Sequence, residues 1–202
     1  SGAEQIAKRV FDVVVASCIL LFTAPLILTI AIFIRLQDGG PAVFKQMRLG
    51  KDGEQFACYK LRSMVTDAGD RLQQLLATDP DARREWAETQ KLTNDPRITA
   101  LGQFIRKSSI DELPQLFNVL WGDMSLVGPR PMMVDQRALY PGTAYYAMRP
   151  GITGIWQTSV RNESSFSERA IFDARYFREL SFVTDLALIA RTFRVVLRGT
   201  GY

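Results

Sequence analysis

The chain has 202 residues, a formal net charge of +4 and 47% hydrophobic residues. That length is enough for one domain with a substantial core, and so mild a basic excess does not require a nucleic-acid partner. Histidine is absent, which excludes serine–histidine and cysteine–histidine nucleophile pairs, histidine-ligated zinc and an imidazole base. We therefore expect a single domain over residues 1–202 that binds no nucleic acid. Any catalysis has to use carboxylates, lysines, arginines, tyrosines, hydroxyls or a hard metal ion.

Residues 13–34 form an uncharged apolar run that is long enough to cross the hydrocarbon core of a bilayer. Pro25 lies in the middle of this run, where a proline removes a backbone hydrogen bond and bends or breaks a helix. Basic residues flank both ends of the run, so the positive-inside rule assigns no orientation. These observations favour a re-entrant membrane helix over residues 8–36 that kinks at Ala24–Pro25 and returns to the same face. A spanning helix and a buried core helix are the alternatives.

The remaining residues, 37–202, predict short elements separated by turns. The sequence GKDG at residues 50–53 lies between two β-prone runs and predicts a small β-hairpin. Lysines and arginines make this hairpin cationic, as expected for a solvated face or for a contact with lipid headgroups or a phosphorylated substrate. Helices are predicted, in chain order, at residues 66–77, 79–90, 98–107, 168–180 and 182–196.

The last of these helices has an apolar stripe flanked by arginines, so it is either a core helix or one that lies in the membrane interface. The expected fold class is α+β, mainly helical, with an N-terminal re-entrant membrane helix, a small β-hairpin and amphipathic interfacial helices.

The stretch richest in chemistry holds two adjacent carboxylates, Asp111 and Glu112, between Arg106 and Arg130. Apolar residues follow at helical spacing, so the pair is predicted to lie at a helix start, where the positive end of the helix dipole accommodates anions. The alternative is structural. Ser109 and Glu112 have the spacing of a capping box, and acids are common in first turns for dipole reasons alone.

A second loop, with the sequence RPGITG, begins at Arg149. Its two glycines suit a close backbone approach to a ligand, and an ordinary tight turn explains them equally well. The residues of this loop therefore fit both a ligand-binding loop and an ordinary turn.

Six motifs occur along the chain in a fixed order. They are KLRSM (60–64), NDPRIT (94–99), SIDELPQ (109–115), NVL (118–120), GDMSLVGPRP (122–131) and RPGITG (149–154). Together they resemble the monotopic phosphoglycosyl transferases, bacterial enzymes that begin polysaccharide and glycan assembly on a lipid carrier. The similarity extends from about residue 8 to the end of the chain.

The resemblance implies that sugar-1-phosphate passes from a UDP-sugar to polyprenyl (undecaprenyl) phosphate, with release of UMP and a requirement for Mg²⁺. Carried over by motif, Asp111 is the nucleophile that forms a covalent sugar-phosphate intermediate, and Glu112 is its metal-associated partner. The implied phosphate-binding residues are Arg106, Arg130, Lys60 and Arg149.

The resemblance also implies a first helix broken at Ala24–Pro25 and a monotopic location on the cytoplasmic face of the bacterial inner membrane. Many larger members of the family carry several membrane helices before this domain, so we expect a short member or an excised catalytic portion. The long segment at residues 66–90 and the arginine-rich end are similar to exopolysaccharide-type enzymes, for which galactose or glucose is the expected sugar. A homodimer is possible.

The chemistry of the residues agrees with this implication. Mg²⁺ and a fork-shaped guanidinium neutralise a diphosphate without histidine, and a carboxylate is already ionised at neutral pH. Two other functions fit the same features: a non-catalytic membrane-surface interaction protein, and a phospholipid head-group transferase.

Overall fold

The computed structural model describes residues 2–89, 92–159 and 166–197, and most of them are helical. The α-helices are α1 (Gly2–Asp38), α2 (Ala68–Thr78), α3 (Pro80–Thr89), α4 (Ala100–Lys107), α5 (Gln115–Trp121), α6 (Ile155–Thr158), α7 (Arg169–Glu179) and α8 (Phe182–Leu197). The strands are β1 (Val43–Leu49), β2 (Gln55–Leu61), β3 (Ser125–Val127), β4 (Met132–Met133) and β5 (Gly151–Thr153). The predicted mainly helical α+β fold is confirmed. The predicted helices correspond to α2, α3, α4, α7 and α8, although residue 90 lies outside the described residues.

The predicted hairpin is present, with β1 and β2 paired antiparallel from Val43 opposite Leu61 to Leu49 opposite Gln55. Strand β4 pairs with the other edge of β1, which gives the order β2-β1-β4. Side chains alternate between the two faces of a strand, so this register places Arg48, Cys58 and Lys60 on one face of the sheet. The same face therefore carries two cations from neighbouring strands.

Strands β3 and β5 form a separate parallel pair, and glycines explain how closely their chains approach. A Cβ atom built on Gly151 would lie 2.0 Å from the backbone nitrogen of Gly128, and one built on Gly154 would lie 2.2 Å from the Gly128 carbonyl oxygen. Any side chain at these positions would therefore separate the strands. The structure thus assigns the glycines of RPGITG to close chain packing.

Helix α1 is long and apolar enough to cross a membrane, by length and composition alone. It continues through Ala24 and Pro25 without interruption, so the chain is not unwound at this pair, and the kink there stays a prediction. The proline removes a single backbone hydrogen bond from a helix of 37 residues. The hydroxyls of Thr23 and Thr29 donate to the carbonyls four residues before them, at 2.7 and 2.8 Å, a pattern that often bends helices. That α1 re-enters the bilayer rather than spanning it stays a prediction.

The N-terminal half of α1 is joined to the body by polar contacts. Asp12 is 2% exposed, and its carboxylate accepts from Ser125 Oγ at 2.7 Å and from the Leu126 amide at 3.2 Å. Arg9 donates to the carbonyls of Val119 and Leu120 at the end of α5. A cation at this position satisfies backbone acceptors that a helix end leaves open. These contacts tie α1 to β3 and α5.

The C-terminal end of α1 is held separately. Asp38 receives two hydrogen bonds from the Arg62 guanidinium, each at 2.6 Å, so the pair is bidentate. Ile30 and Ile34 pack in the same buried cluster as Leu61. Between the two attachments the helix exposes large apolar side chains, including those of Leu21 (81% exposed) and Phe22 (88% exposed). The body thus contacts α1 on both sides of an exposed apolar segment.

Helix α5 is fixed to the free edge of β2 by one buried amide. Asn118 is fully buried; its Nδ2 donates to the Ala57 carbonyl at 2.7 Å, and its Oδ1 accepts from the Tyr59 amide at 3.2 Å. The side chain therefore substitutes for a neighbouring strand and satisfies backbone groups that would otherwise be buried and unpaired. Because α5 directly follows the acid pair, this contact also sets the distance between the pair and Lys60.

Candidate active site

The acid pair lies on a short 3₁₀ turn, Ile110–Glu112, between α4 and α5. The expectation that the pair begins an α-helix is therefore corrected: α5 starts only at Gln115. Ser109 has a left-handed backbone (φ 57°, ψ 17°) that redirects the chain after α4, and its side chain makes no capping hydrogen bond. The capping-box alternative is thus not realised. A positive φ at a residue other than glycine is strained, and such strain concentrates at functional sites.

Asp111 is 8% exposed. In the part of the chain that the structure describes, no hydrogen bond reaches its carboxylate. The pKa of Asp111 is raised to about 6; burial is the main cause and the charge of Glu112 adds to it, whereas Lys60, Arg106 and Arg130 act in the opposite direction. The carboxylate is consequently ionised at neutral pH while its oxygen lone pairs stay available to an electrophile.

Glu112 has a different environment although it is the next residue. Its Oε1 lies 2.8 Å from Lys60 Nζ and 3.9 Å from a guanidinium nitrogen of Arg130. These ion pairs hold Glu112 at the side of the site, whereas Asp111 is buried beside it. The structure therefore brings four predicted residues, Asp111, Glu112, Lys60 and Arg130, into one cluster.

Arg106 joins the cluster through the way α4 packs. Its Nε donates to Ser63 Oγ at 2.7 Å, and its charge acts on Asp111. Gly102 lies one helical turn earlier, where a Cβ atom would come within 1.9 Å of the Ser63 carbonyl oxygen. Only glycine allows α4 to lie this close to the chain after β2. The close packing thus aims Arg106 at the acid pair.

Arg149 is the one predicted phosphate-binding residue that lies apart. Its side chain is exposed, and its Nε donates to the Gly122 carbonyl at 2.8 Å. Among the described residues it makes no ion pair with Asp111 or Glu112. Arg149 precedes β5, and the packing of β5 against β3 directs this segment toward the end of α5.

A small cleft opens beside the acid pair. It is lined by Arg48, Cys58, Lys60, Glu112, Gln115, Arg130, Pro131, Gly151 and Ile152. Arg48 is one of the cations of the predicted hairpin, and neither it nor Cys58 nor Gln115 was predicted as a site residue. The alternation of side chains along the two strands of the hairpin could have predicted two of these residues, because it places Arg48 and Cys58 on the same face as Lys60.

The donor set fits a magnesium ion that is shared with a substrate. Among the described residues no group of three or more acidic or cysteine side chains could hold a metal ion alone. Two adjacent carboxylates, Asp111 and Glu112, are present. Mg²⁺ is commonly bound through one or two carboxylates, with substrate phosphates and water completing the coordination.

Comparison with known proteins agrees with the motif pattern. Residues 3–199 match the model of the bacterial sugar transferase family. The chain is 48% identical to the undecaprenyl-phosphate galactose phosphotransferase of Salmonella typhimurium, over 98% of this chain and 42% of that protein. It is 43% identical to the exopolysaccharide production protein ExoY of Rhizobium meliloti, over 96% of this chain and 87% of that protein. It is 36% identical to the UDP-glucose:undecaprenyl-phosphate glucose-1-phosphate transferase of Escherichia coli, over 98% and 41%.

The chain thus spans less than half the length of the Salmonella and E. coli relatives and most of the length of ExoY. The match covers nearly the whole chain, including every motif that carried the resemblance. The chain belongs to the bacterial sugar transferase family.

Proposed function

We propose that this chain transfers sugar-1-phosphate from a UDP-sugar to polyprenyl phosphate, releases UMP and forms a covalent intermediate on Asp111. The observation that carries the proposal is the environment of Asp111, a buried carboxylate without a hydrogen bond from the described residues, whose ionised form is favoured by the charges of three cations. The names of the Salmonella and E. coli relatives, which specify undecaprenyl-phosphate acceptors, support the same reaction class.

The proposed reaction has two displacement steps at the β-phosphorus. In the first, an Asp111 carboxylate oxygen forms a bond to phosphorus, the bond from phosphorus to the bridging oxygen breaks, and UMP departs with that oxygen. In the second, an oxygen of polyprenyl phosphate attacks the same phosphorus and the bond to Asp111 breaks, which restores the carboxylate. Neither step needs a separate base, because both attacking oxygens are already ionised. Lys60, Arg106 and Arg130 stabilise the negative charge that phosphoryl transfer develops.

We further propose that Mg²⁺ is the cofactor and that Glu112, with Asp111, holds it. When bound, the ion neutralises phosphate charge. Lys60 contributes by fixing the orientation of Glu112 through their 2.8 Å ion pair.

The contacts of α1 support a monotopic membrane location. The body binds α1 near both ends, through Asp12 on one side of the exposed apolar segment and Asp38 on the other. A helix that crossed the bilayer between these points would bring polar groups of the body into the hydrocarbon core, which is strongly unfavourable. We therefore propose that the apolar segment enters the bilayer and returns, on the cytoplasmic face of the inner membrane that the family resemblance implies.

A turnover assay tests the proposed function. The protein in detergent or lipid nanodiscs is incubated with Mg²⁺, polyprenyl phosphate and either UDP-galactose or UDP-glucose, and UMP and the lipid product are quantified. We expect activity that Asp111→Asn abolishes, whereas Asp81→Asn, a change at an exposed acid of α3 (86% exposed side chain), leaves it unchanged. Turnover of a CDP-activated lipid, together with no turnover of either UDP-sugar, would instead indicate a head-group transferase. If neither the wild type nor Asp111→Asn turned over a donor and both bound membranes equally well, the protein would be a non-catalytic membrane-surface interaction protein.

A further inference from the structure

We propose that Arg48 is a further substrate-binding residue and that, with Arg130, it clamps the diphosphate of the nucleotide-sugar donor. This inference rests on the proposed function and adds a residue that the motifs did not assign. It follows from the charge balance of the cleft, from the way Arg48 is held and from the way Arg130 is supported.

The charge balance of the cleft is positive. Its lining includes three cations, Arg48, Lys60 and Arg130, and one carboxylate, that of Glu112. Glu112 pairs with Lys60 at 2.8 Å and lies 3.9 Å from Arg130. In the described part of the chain no carboxylate lies within ion-pair distance of Arg48. An anion in the cleft would therefore balance a charge that the protein leaves unbalanced.

Arg48 is oriented by neutral acceptors. One terminal nitrogen donates to the Pro131 carbonyl at 3.2 Å, and the other donates to Gln46 Oε1 at 2.6 Å. A guanidinium has five N–H donors, so further donors remain while the fork is held in place. The pairing of β1 with β4, with Arg48 opposite Met133, sets this position beneath the GPRP motif. A pre-oriented fork of this kind suits a phosphate geometrically.

Arg130 is supported from the opposite side. Its backbone carbonyl accepts from Arg169 at 2.7 Å, and its guanidinium lies 5.8 Å from the ring centroid of Trp156. Arg169 is 7% exposed and lies 5.1 Å from the same ring. Helix α7 thus adds a third guanidinium near the cleft, and this one is buried, without a carboxylate within ion-pair distance among the described residues.

Concentrating like charges in a partly buried site is unfavourable without a ligand. Burial is the main cause that lowers the pKa of Arg48, and the positive charge of Arg130 acts in the same direction. A diphosphate reverses this balance, because each guanidinium can donate two hydrogen bonds to it. A monoanion would leave part of the charge uncompensated. The chemical class that fits is therefore the diphosphate of the donor.

Binding measurements that need no turnover test this inference. The full chain in nanodiscs with Mg²⁺ is titrated calorimetrically with UDP and, separately, with inorganic pyrophosphate. We compare the wild type with Arg48→Gln and with Arg48→Lys, which keeps the charge but loses the fork. The matched control is Lys45→Gln, because Lys45 is an exposed cation three residues earlier on the opposite face of β1.

We expect Arg48→Gln to weaken the binding of both probes about 10-fold to 100-fold, as for the loss of charge-assisted hydrogen bonds. Arg48→Lys should weaken it less, and Lys45→Gln should leave it unchanged. If Arg48→Gln does not fold, the affinity of Arg48→Lys for the two probes alone tests the clamp. Wild-type affinity in the folded Arg48 variants, or a loss confined to UDP, would overturn the clamp. A wild type that binds both probes but never turns over would contradict the proposed function and leave the clamp intact.

Discussion

Two neighbouring carboxylates differ in this site because their surroundings differ. Glu112 is engaged by Lys60 at 2.8 Å, whereas Asp111 is 8% exposed and close to the same cations without a hydrogen bond from the described residues. The ion pair with Lys60 fixes the orientation of the Glu112 carboxylate. The Asp111 carboxylate has no such partner among the described residues, so its oxygens are available to attack phosphorus. The family resemblance implies a nucleophile at Asp111 and a metal-associated partner at Glu112, and both roles stay predictions. The burial and the ion pairing that distinguish the two residues follow from the tertiary fold and are not readable from adjacent letters.

The activity should depend on pH through Asp111. Because burial raises its pKa to about 6 and only the ionised carboxylate attacks phosphorus, kcat/KM for the UDP-sugar should fall about tenfold per unit below pH 5 and level off above pH 7. Lys60→Gln should move this limb to higher pH, since Lys60 favours the charged form. The pH profile of initial UMP release measures both effects. A flat profile down to pH 5 would contradict the assignment.

The stability of Asp111→Asn should depend on pH as well. A pKa raised from 3.8 to about 6 means that the folded protein binds the proton more tightly than the unfolded chain. The contribution of this carboxyl group to the stability of the folded protein is fully present below pH 3.8, where the group is protonated. It is lost as the pH rises through about 6, because the group then ionises in its buried position. Asp111→Asn should therefore raise the free energy of unfolding by about 1–3 kcal/mol at pH 7.5 and by little at pH 4. Urea unfolding at the two pH values tests this. Destabilisation at pH 7.5 would indicate a structural role.

At the scale of elements, α4 and α5 carry the site because each is fixed to the hairpin strand β2 or the chain just after it. Gly102 lets α4 approach Ser63, and the buried amide of Asn118 joins α5 to the edge of β2. Periodicity predicted the helices and the hairpin, since those signals are local. The β3–β5 pair was not predicted, because three-residue strands have no periodicity to detect and their pairing depends on close approach at Gly128 and Gly151.

Ser63→Ala tests how α4 aims Arg106. The change removes the 2.7 Å hydrogen bond to Arg106 Nε, so the guanidinium should lose its fixed orientation toward Asp111. We expect kcat to fall roughly threefold to tenfold and the acidic limb of the pH profile to move to higher pH. The matched control is Ser108→Ala, because among the described residues that hydroxyl bonds only to carbonyls of the adjacent helix α4, those of Phe104 and Ile105. A lower activity with an unmoved acidic limb would mean that Ser63 acts only on packing.

At the scale of the whole molecule, the main feature is that one body binds both ends of a long apolar helix. The apolar run at residues 13–34 was readable from the sequence, and so was the ambiguity between re-entry and spanning. The choice between re-entry and spanning depends on tertiary contacts, which join residues far apart in the chain. Examples are the contacts of Asp12 with Ser125 and of Asp38 with Arg62. These contacts favour re-entry.

Labelling from one side of the membrane tests this orientation. In a Cys18→Ser background, Gln5→Cys and Gln37→Cys introduce thiols at exposed positions near the two ends of α1, while the native Cys58 is 2% exposed. We expect a membrane-impermeant maleimide to label both thiols in inside-out vesicles and neither in intact spheroplasts. Labelling of the two positions from opposite sides would establish a spanning helix.

The covalent intermediate on Asp111 can be detected by intact-protein mass spectrometry in the absence of the lipid acceptor. The protein is incubated with Mg²⁺ and a panel of UDP-sugars, and its mass is compared with that of Asp111→Asn and Asp81→Asn treated alike. We expect an added sugar-phosphate mass in the wild type and in Asp81→Asn, matched by one UMP released per chain, and no adduct in Asp111→Asn. No adduct with any donor, together with UMP release once polyprenyl phosphate is added, would contradict the covalent intermediate and indicate direct transfer.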